Sequence, residues 1–400
     1  MLFDPDRHEP LSTAAWDPAR VREGIVAIVR DLEQGRAAGG QWPVHPLDDE
    51  GDEPPGGFKD LYLGSAGVLW ALWYLEQRGA VRLALDPRGA IEAVCADGLH
   101  APDGGPLSPS YFLGAAGILL VRHRLTGAAD AAEQLVRSVR ANLTNPANEL
   151  LYGCAGTTLA ALHLFRIAPD ERFRALFLEG AQELRRSWTF DFAAGCHLWV
   201  QDLGGPRRHL GAAHGAAGNV LPLLAGAALL DAGRREELYD RCAAAFRGAA
   251  LAEDGAVNWP TDFGPVSAGG KRLLQWCHGA PGIVTALAPF PRGRSPELDA
   301  LLTGAGEAIW RAGPLTKGPG LCHGSAGNGA AFLALHLRTG EARWLERARA
   351  FAMHALEQQE RLRRTYGRPR ATLWTGDAGL AVYLWQCLQG IAGLPLLDLI

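Results

Sequence analysis

No run of five or more basic residues occurs in this 400-residue chain, and its formal net charge is only −4. That leaves no electrostatic footprint for a nucleic-acid backbone. Long apolar runs are missing as well. The longest, Val220 to Leu230, has 11 residues and contains Pro222, too few to cross a bilayer. The opening MLFDPDRHEP is acidic and polar and has none of the apolar core of a signal peptide. A soluble, cytoplasmic protein is expected. Cysteine is odd in number, seven in all, which argues against a disulfide framework. Cys95, Cys154, Cys242 and Cys387 lie in Ala/Leu-rich surroundings and read as small buried hydrophobes. Cys196 is undecided. Cys277 and Cys322 stand apart.

Glycine, by contrast, is abundant, with 50 residues, and it is ordered. The pattern Gly-x-Ala/Pro-Gly starts at Gly64, Gly114, Gly153, Gly215, Gly279, Gly324 and Gly376, at spacings of 39 to 64 residues. Seven copies at roughly regular intervals mark a repeat architecture, which overrules the two or three domains suggested by length alone. Behind the glycines come apolar runs such as VLWALWYL and NGAAFLALHL. They are apolar around the whole circumference and belong inside. Between the copies lie amphipathic segments. Asp17-Pro18 is a cap followed by proline at the first helical position. Val21, Ile25, Ile28, Val29 and Leu32 then fall on one helical face. Ser295-Pro296-Glu297 begins another segment by the same logic, and Trp344, Ala348, Phe351 and Ala355 share a face of a third. Each repeat therefore supplies one buried and one half-exposed helix. An open stack would need polar capping repeats at both ends, and none is present. Closure into a ring removes that need. The expected fold is all-α, an α/α toroid of seven inner and seven outer helices, with the inner helix starts gathered at one end.

Two copies carry Cys-His at that start, Cys277-His278-Gly279 and Cys322-His323-Gly324, and a third carries His214-Gly215. Two thiols and up to three imidazoles at one end of a barrel fit a zinc site. Two buried thiols beside hydrogen-bonded histidines are the alternative that spacing leaves open.

The segments NELLYGCAG, GAAHGAAGN, QWCHGAPG and GLCHGSAGN resemble the motifs of the lanthionine synthetase C-like (LanC-like) family. The resemblance runs from about Phe58 to Leu384 and includes all seven repeats. It implies one toroid domain over residues 1–400, with 1–57 forming an N-terminal outer helix and a poorly matched loop. It implies one zinc ion per chain, held by Cys277, Cys322 and His323. Three protein ligands leave one position open, the mark of a catalytic site. Zinc holds a bound thiol as thiolate, and the family adds that nucleophile to dehydroalanine or dehydrobutyrine. The resulting enolate takes a proton at its α-carbon. His214, in the family's Ala-His-Gly motif, matches the residue given acid–base work there, which suits an imidazole.

Several positions resemble the glutathione-binding branch of the family more than the lantibiotic cyclases. His278 replaces the tyrosine of the cyclase Trp-Cys-Tyr-Gly motif. Leu273 stands where cyclases carry arginine, with Arg272 beside it. Glu149, assigned to the catalytic set, replaces a cyclase aspartate. Lys317 and Arg364, with Arg363 adjacent, match cations that meet glutathione, whose two carboxylates call for such partners; His278 joins them as a substrate-binding residue. The expected activity is zinc-dependent addition of glutathione or another small thiol to a dehydrated peptide or protein, by a monomer that binds neither nucleic acid nor membrane. A lanthionine cyclase and a non-catalytic zinc- and glutathione-binding scaffold are the rivals. An α/α-barrel glycosidase would need paired carboxylates across the cleft, for which only Glu149 and Asp377 qualify.

Overall fold

The computed structural model describes residues 1–49, 51, 54, 56–100, 103, 108–264 and 272–400. Among them, fourteen α-helices alternate between two concentric rings. The inner ring is α2 (Ser65–Gln77), α4 (Ala115–Thr126), α6 (Cys154–Ile167), α8 (Ala216–Ala225), α10 (Ala280–Leu287), α12 (Ser325–Thr339) and α14 (Asp377–Gln389). The outer ring is α1 (Pro18–Gln34), α3 (Pro87–His100), α5 (Ala129–Ala141), α7 (Glu171–Ser187), α9 (Ala232–Gly248), α11 (Pro296–Ala312) and α13 (Ala342–Tyr366). Each inner helix packs against the next, and α14 packs on α2, which closes the circle. The expected toroid is therefore the fold. Three two-stranded antiparallel pairs, which the repeat pattern did not indicate, decorate the connections: β1 (Thr189–Asp191) with β2 (Cys196–Leu198), β3 (Gln201–Asp202) with β4 (Pro206–Arg207), and β5 (Leu251–Glu253) with β6 (Ala256–Asn258).

Local signals explain the outer helices. Asp17 caps α1 by accepting from the Ala19 and Arg20 amides, and the five apolar residues read from the sequence are the five buried ones. Ser295 caps α11 through the Leu298 amide. Trp344, Ala348, Phe351 and Ala355 are buried along α13. The residues that cap the inner helices are glycines with no side chain to offer, and only at α10 does another side chain, Asn258, take the first amide. The first amides of α2, α4, α8, α12 and α14 are bonded by carbonyls of the incoming loop, as Ser325 and Ala326 are by Gly318 and Pro319. There the orphan donors of the first turn are thus satisfied by backbone.

The motif glycines make this approach possible. A Cβ on Gly282 would overlap the Trp276 carbonyl, and one on Gly327 the Leu321 carbonyl. Those carbonyls immediately precede Cys277 and Cys322, so the glycines set where the two cysteines sit. Gly279 also requires a left-handed φ of 107°, which glycine adopts without strain.

The seven incoming loops are joined to one another by a closed belt of backbone hydrogen bonds. Its acceptors are the carbonyls two residues before each motif glycine. Leu61 donates to Phe112, Phe112 to Leu151, Leu150 to Ala213, Ala213 to Cys277, Cys277 to Cys322, Cys322 to Trp374, and Trp374 to Tyr62. Side chains at equivalent positions of successive repeats therefore converge on one rim. Beneath it Trp276, Trp374 and Phe112 pack ring on ring, with Trp276 and Trp374 4.4 Å apart. At the other end the C-terminal segment closes the barrel, with Leu394, Leu396 and Leu397 buried and the Leu396 carbonyl bonded by the Tyr111 hydroxyl at 2.7 Å.

All seven cysteines are free and buried. Cys95, Cys154, Cys242 and Cys387 lie in the main core as expected, and burial pushes the Cys154 thiol up to about 11. Cys196 is buried too, in a small separate cluster that it and Leu198 of β2 form with Ala245.

Candidate metal and acid–base site

The belt places Cys277 and Cys322 side by side, with the Cys277 amide bonded to the Cys322 carbonyl at 3.1 Å. His323 follows in the same turn. The donor atoms of Cys277, Cys322 and His323 all lie within 4.8 Å of one another. As a pair sharing one proton, the Cys322 thiol donates to Cys277, which holds Cys277 well below the ordinary thiol range and Cys322 above it; His323 and His278 add to the effect at Cys277. A buried amide also points at this sulfur: Gln275 Nε2 lies 2.9 Å from Cys277 Sγ. Two thiols, one imidazole and a donor aimed at a thiolate form a set that fits zinc, and a position is left for a further ligand.

His214 occupies the same repeat position as His278 and His323, the residue just before the motif glycine. Its Nδ1 lies 2.9 Å from Glu149 Oε2. Glu149 is fully buried and also accepts from the backbone amides of Leu151, Tyr152 and Gly153. Burial disfavours the charged imidazole, but the hydrogen bond and charge of Glu149, with Cys277 nearby, outweigh it and raise the His214 pKa. Because Nδ1 faces Glu149, Nε2 is the nitrogen left for other work. The Tyr152 ring lies nearly parallel to that of His214, 6.4 Å between centroids.

His278 lies between His214 and His209, its ring centroid 6.0 and 5.8 Å from theirs. Burial lowers its pKa, and its Nδ1 is buried without a hydrogen-bond partner among the described residues. Lys317 is exposed, forms no ion pair among the described residues, and is close enough to Cys322 to favour the thiolate. Arg364 is exposed at the last turn of α13, whereas the neighbouring Arg363 is committed to Asp31 at 2.6 Å. Leu362, in the same turn, reaches toward Gly318, so this turn stands beside the Lys317 loop. Arg272 is spent on the Met1 carbonyl at 2.7 Å. Asp377, the carboxylate weighed with Glu149 for a glycosidase, accepts from Gln359 and the Arg370 amide inside repeat seven.

Three residues near the cluster were not found by sequence reasoning. Gln275 sits four residues before its motif glycine, the place Glu149 holds in repeat three, so aligning the repeats would have exposed it. Tyr62 stands two residues before its glycine, as the two cysteines do, and its phenol meets Cys322; burial and the neighbouring thiols raise its pKa. Arg7 lies in the poorly matched N-terminal segment, where no sequence signal marked it. Its Nη2 donates to Gln275 Oε1 at 3.0 Å.

Residues 58–392 match the lanthionine synthetase C-like protein family. The chain belongs to this LanC-like family. It is 40% identical over 119 residues to glutathione S-transferase LANCL1 of Danio rerio, covering 29% of each chain. It is 44% identical over 96 residues to LanC-like protein GCL1 of Arabidopsis thaliana, covering 22% of each. The matched stretches thus span less than a third of these curated relatives. The solved structure of nisin cyclase superposes with a TM-score of 0.62 over 92% of this chain and 93% of that one, at 16% identity, a likeness of fold. The first of these names describes a glutathione S-transferase and the last a cyclase. No helix among the described residues is long and apolar enough to cross a membrane.

Proposed function

We propose that this LanC-like chain is a zinc-dependent thiol transferase that adds glutathione or a similar small thiol to dehydroalanine or dehydrobutyrine in a peptide or protein. One observation carries the reading: the Cys277, Cys322 and His323 donors converge within 4.8 Å on the rim that also holds the His214–Glu149 pair. Cys277, Cys322 and His323 would hold one zinc ion, which supplies Lewis acidity that keeps a thiol substrate as thiolate at neutral pH. Glu149 fixes the His214 tautomer and favours its charged form. His214 then serves as the acid. As the thiolate sulfur bonds to the β-carbon and the alkene electrons move to the carbonyl, the proton on Nε2 goes to the α-carbon and the adduct is neutral. Lys317 and Arg364, both exposed and without an ion pair among the described residues, meet the thiol's carboxylates, and His278 lines the space between the thiol and His214. The reading includes a cytoplasmic monomer, in keeping with seven free cysteines and a reducing compartment.

The test is two assays on wild type, Lys317→Ala and Arg364→Ala. One follows glutathione addition to a dehydroalanine peptide, the other ring closure in a dehydrated peptide with its own cysteine. The reading requires addition by the wild type and a selective loss in the variants. Charge-assisted hydrogen bonds contribute about 1.5–3 kcal/mol, so the loss is roughly 10- to 150-fold, with zinc content unchanged. Ring closure without addition would make the chain a cyclase. Glutathione binding with neither activity would make it a scaffold.

A further inference from the structure

Gln275 is 6% exposed, and its side chain has two partners that differ in kind. Arg7 Nη2 lies 3.0 Å from Oε1, and Cys277 Sγ lies 2.9 Å from Nε2. A guanidinium has only donors, so it fixes the amide with its oxygen toward Arg7 and its NH₂ toward sulfur. The backbone holds the same geometry. Gln275 and His278 exchange amide-to-carbonyl hydrogen bonds of 3.0 and 3.1 Å across the turn that carries Cys277. Arg7 is itself anchored to the loop before Cys322, since its carbonyl accepts from the Thr316 amide at 3.0 Å and from the Thr316 hydroxyl at 3.2 Å. Around it His8 Nδ1 meets the Gly313 carbonyl at 2.9 Å, and the Glu9 amide donates to Pro314 at 2.9 Å. One residue of the N-terminal arm thus touches both ligand loops, one through its backbone and the other through Gln275.

We propose that Gln275 is a positioning residue of the metal centre: its amide, oriented by Arg7, donates a hydrogen bond to the Cys277 sulfur and couples the N-terminal arm to that ligand. This rests on the assignment of Cys277 as a zinc ligand. Groups hydrogen-bonded to metal ligands orient them and set how much charge they donate, and losing one typically costs about 10–100-fold in metal affinity. Glutamate at 275 would offer the sulfur no donor and a like charge.

Cobalt(II) chloride in place of zinc reads the sulfur directly, through its thiolate-to-cobalt charge-transfer absorption. Removing the N–H donor leaves more charge on sulfur and moves that band to longer wavelength. Gln275→Leu is expected to show this shift and about 10–100-fold weaker zinc binding in competition with a chelator, with far-UV circular dichroism unchanged. Arg7→Met, on the arm rather than in the core, is expected to shift the band less and in the same direction. In the Gln275→Leu background it adds nothing, because its effect passes through the amide. An unshifted band in Arg7→Met, or in a folded Gln275→Leu, overturns the proposal. So does an equal Arg7→Met shift in both backgrounds. A wild type without any cobalt–thiolate band defeats the metal assignment itself, and is distinguished from these by failing before any substitution is made.

Discussion

In the first repeat, Asp60 Oδ1 accepts from the amides of Tyr62, Leu63 and Gly64 at 2.8, 2.8 and 3.0 Å. In the third, Glu149 accepts from Leu151, Tyr152 and Gly153, the equivalent amides. Both carboxylates are buried, and both clasp the loop that starts an inner helix. They differ in what the next repeat presents. Repeat two offers Leu113 just before its glycine, and repeat four offers His214. The extra methylene of Glu149 also lets both oxygens work, so Oε2 reaches His214 at 2.9 Å. The same loop clasp is structural in one arc of the rim and electrostatic in the other. The scaffold is repeated, and the repeats differ at the positions one, two and four residues before the motif glycine.

The strongest way to break this comparison is to change those positions. Cys277→Ala or Cys322→Ala is expected to lose zinc altogether, from one ion per chain to none by metal analysis. Phe112→Leu, at the equivalent position of repeat two, keeps it. Zinc retained in full by both cysteine variants would move the site elsewhere.

His214→Ala is expected to keep its zinc and fold and to lose about 10²–10⁴-fold in turnover, the usual contribution of general acid–base catalysis. Leu113→Ala, its counterpart in repeat two, leaves turnover alone. Zinc content and rate measured on one preparation separate the roles, since loss of zinc in His214→Ala would make that residue a ligand.

Glu149→Gln keeps the two clasp bonds on Oε1, from Tyr152 and Gly153, but gives up the one from Leu151 on Oε2 and removes the negative charge from His214. With a charged hydrogen bond contributing about 1.5–3 kcal/mol, turnover is expected to fall roughly 10- to 150-fold. The limb of the pH profile that reports His214 moves to lower pH. Asp60→Asn, the same change in the other arc, alters neither. A pH profile identical in Glu149→Gln and wild type would dissolve the distinction between the two clasps.

The smallest effect is thermal. Burial pushes the Asp60 carboxyl up to about 7. A carboxyl raised in the folded state contributes stability that is complete below its unfolded value near 4 and is lost as pH rises through about 7. Asp60→Asn is free of that loss. Its melting temperature relative to wild type is expected to improve between pH 5 and pH 8, by calorimetry. A difference independent of pH would show that Asp60 is ionised throughout.

Much of the molecule was legible in the chain itself. Seven glycine motifs gave the number of inner helices, because close backbone approach demands glycine at a fixed place in every repeat. Asp17 and Ser295 marked outer-helix starts, since caps and proline act within one turn. The candidate ligands Cys277, Cys322 and His323 followed from motif resemblance, and the structure brings those three donors together. What needed the tertiary structure acts between distant segments. Glu149 meets His214 only because the backbone belt joins consecutive loops, and backbone bonds leave no trace in side-chain identity. Arg363 and Arg364 were equivalent in sequence until Asp31 of α1 claimed one of them across the closed ring. Gln275 and Arg7 meet only once the N-terminal arm docks on the loop before Cys322. Local spacing determined the repeats and the residue types on the rim; ring closure decided which of those residues touch.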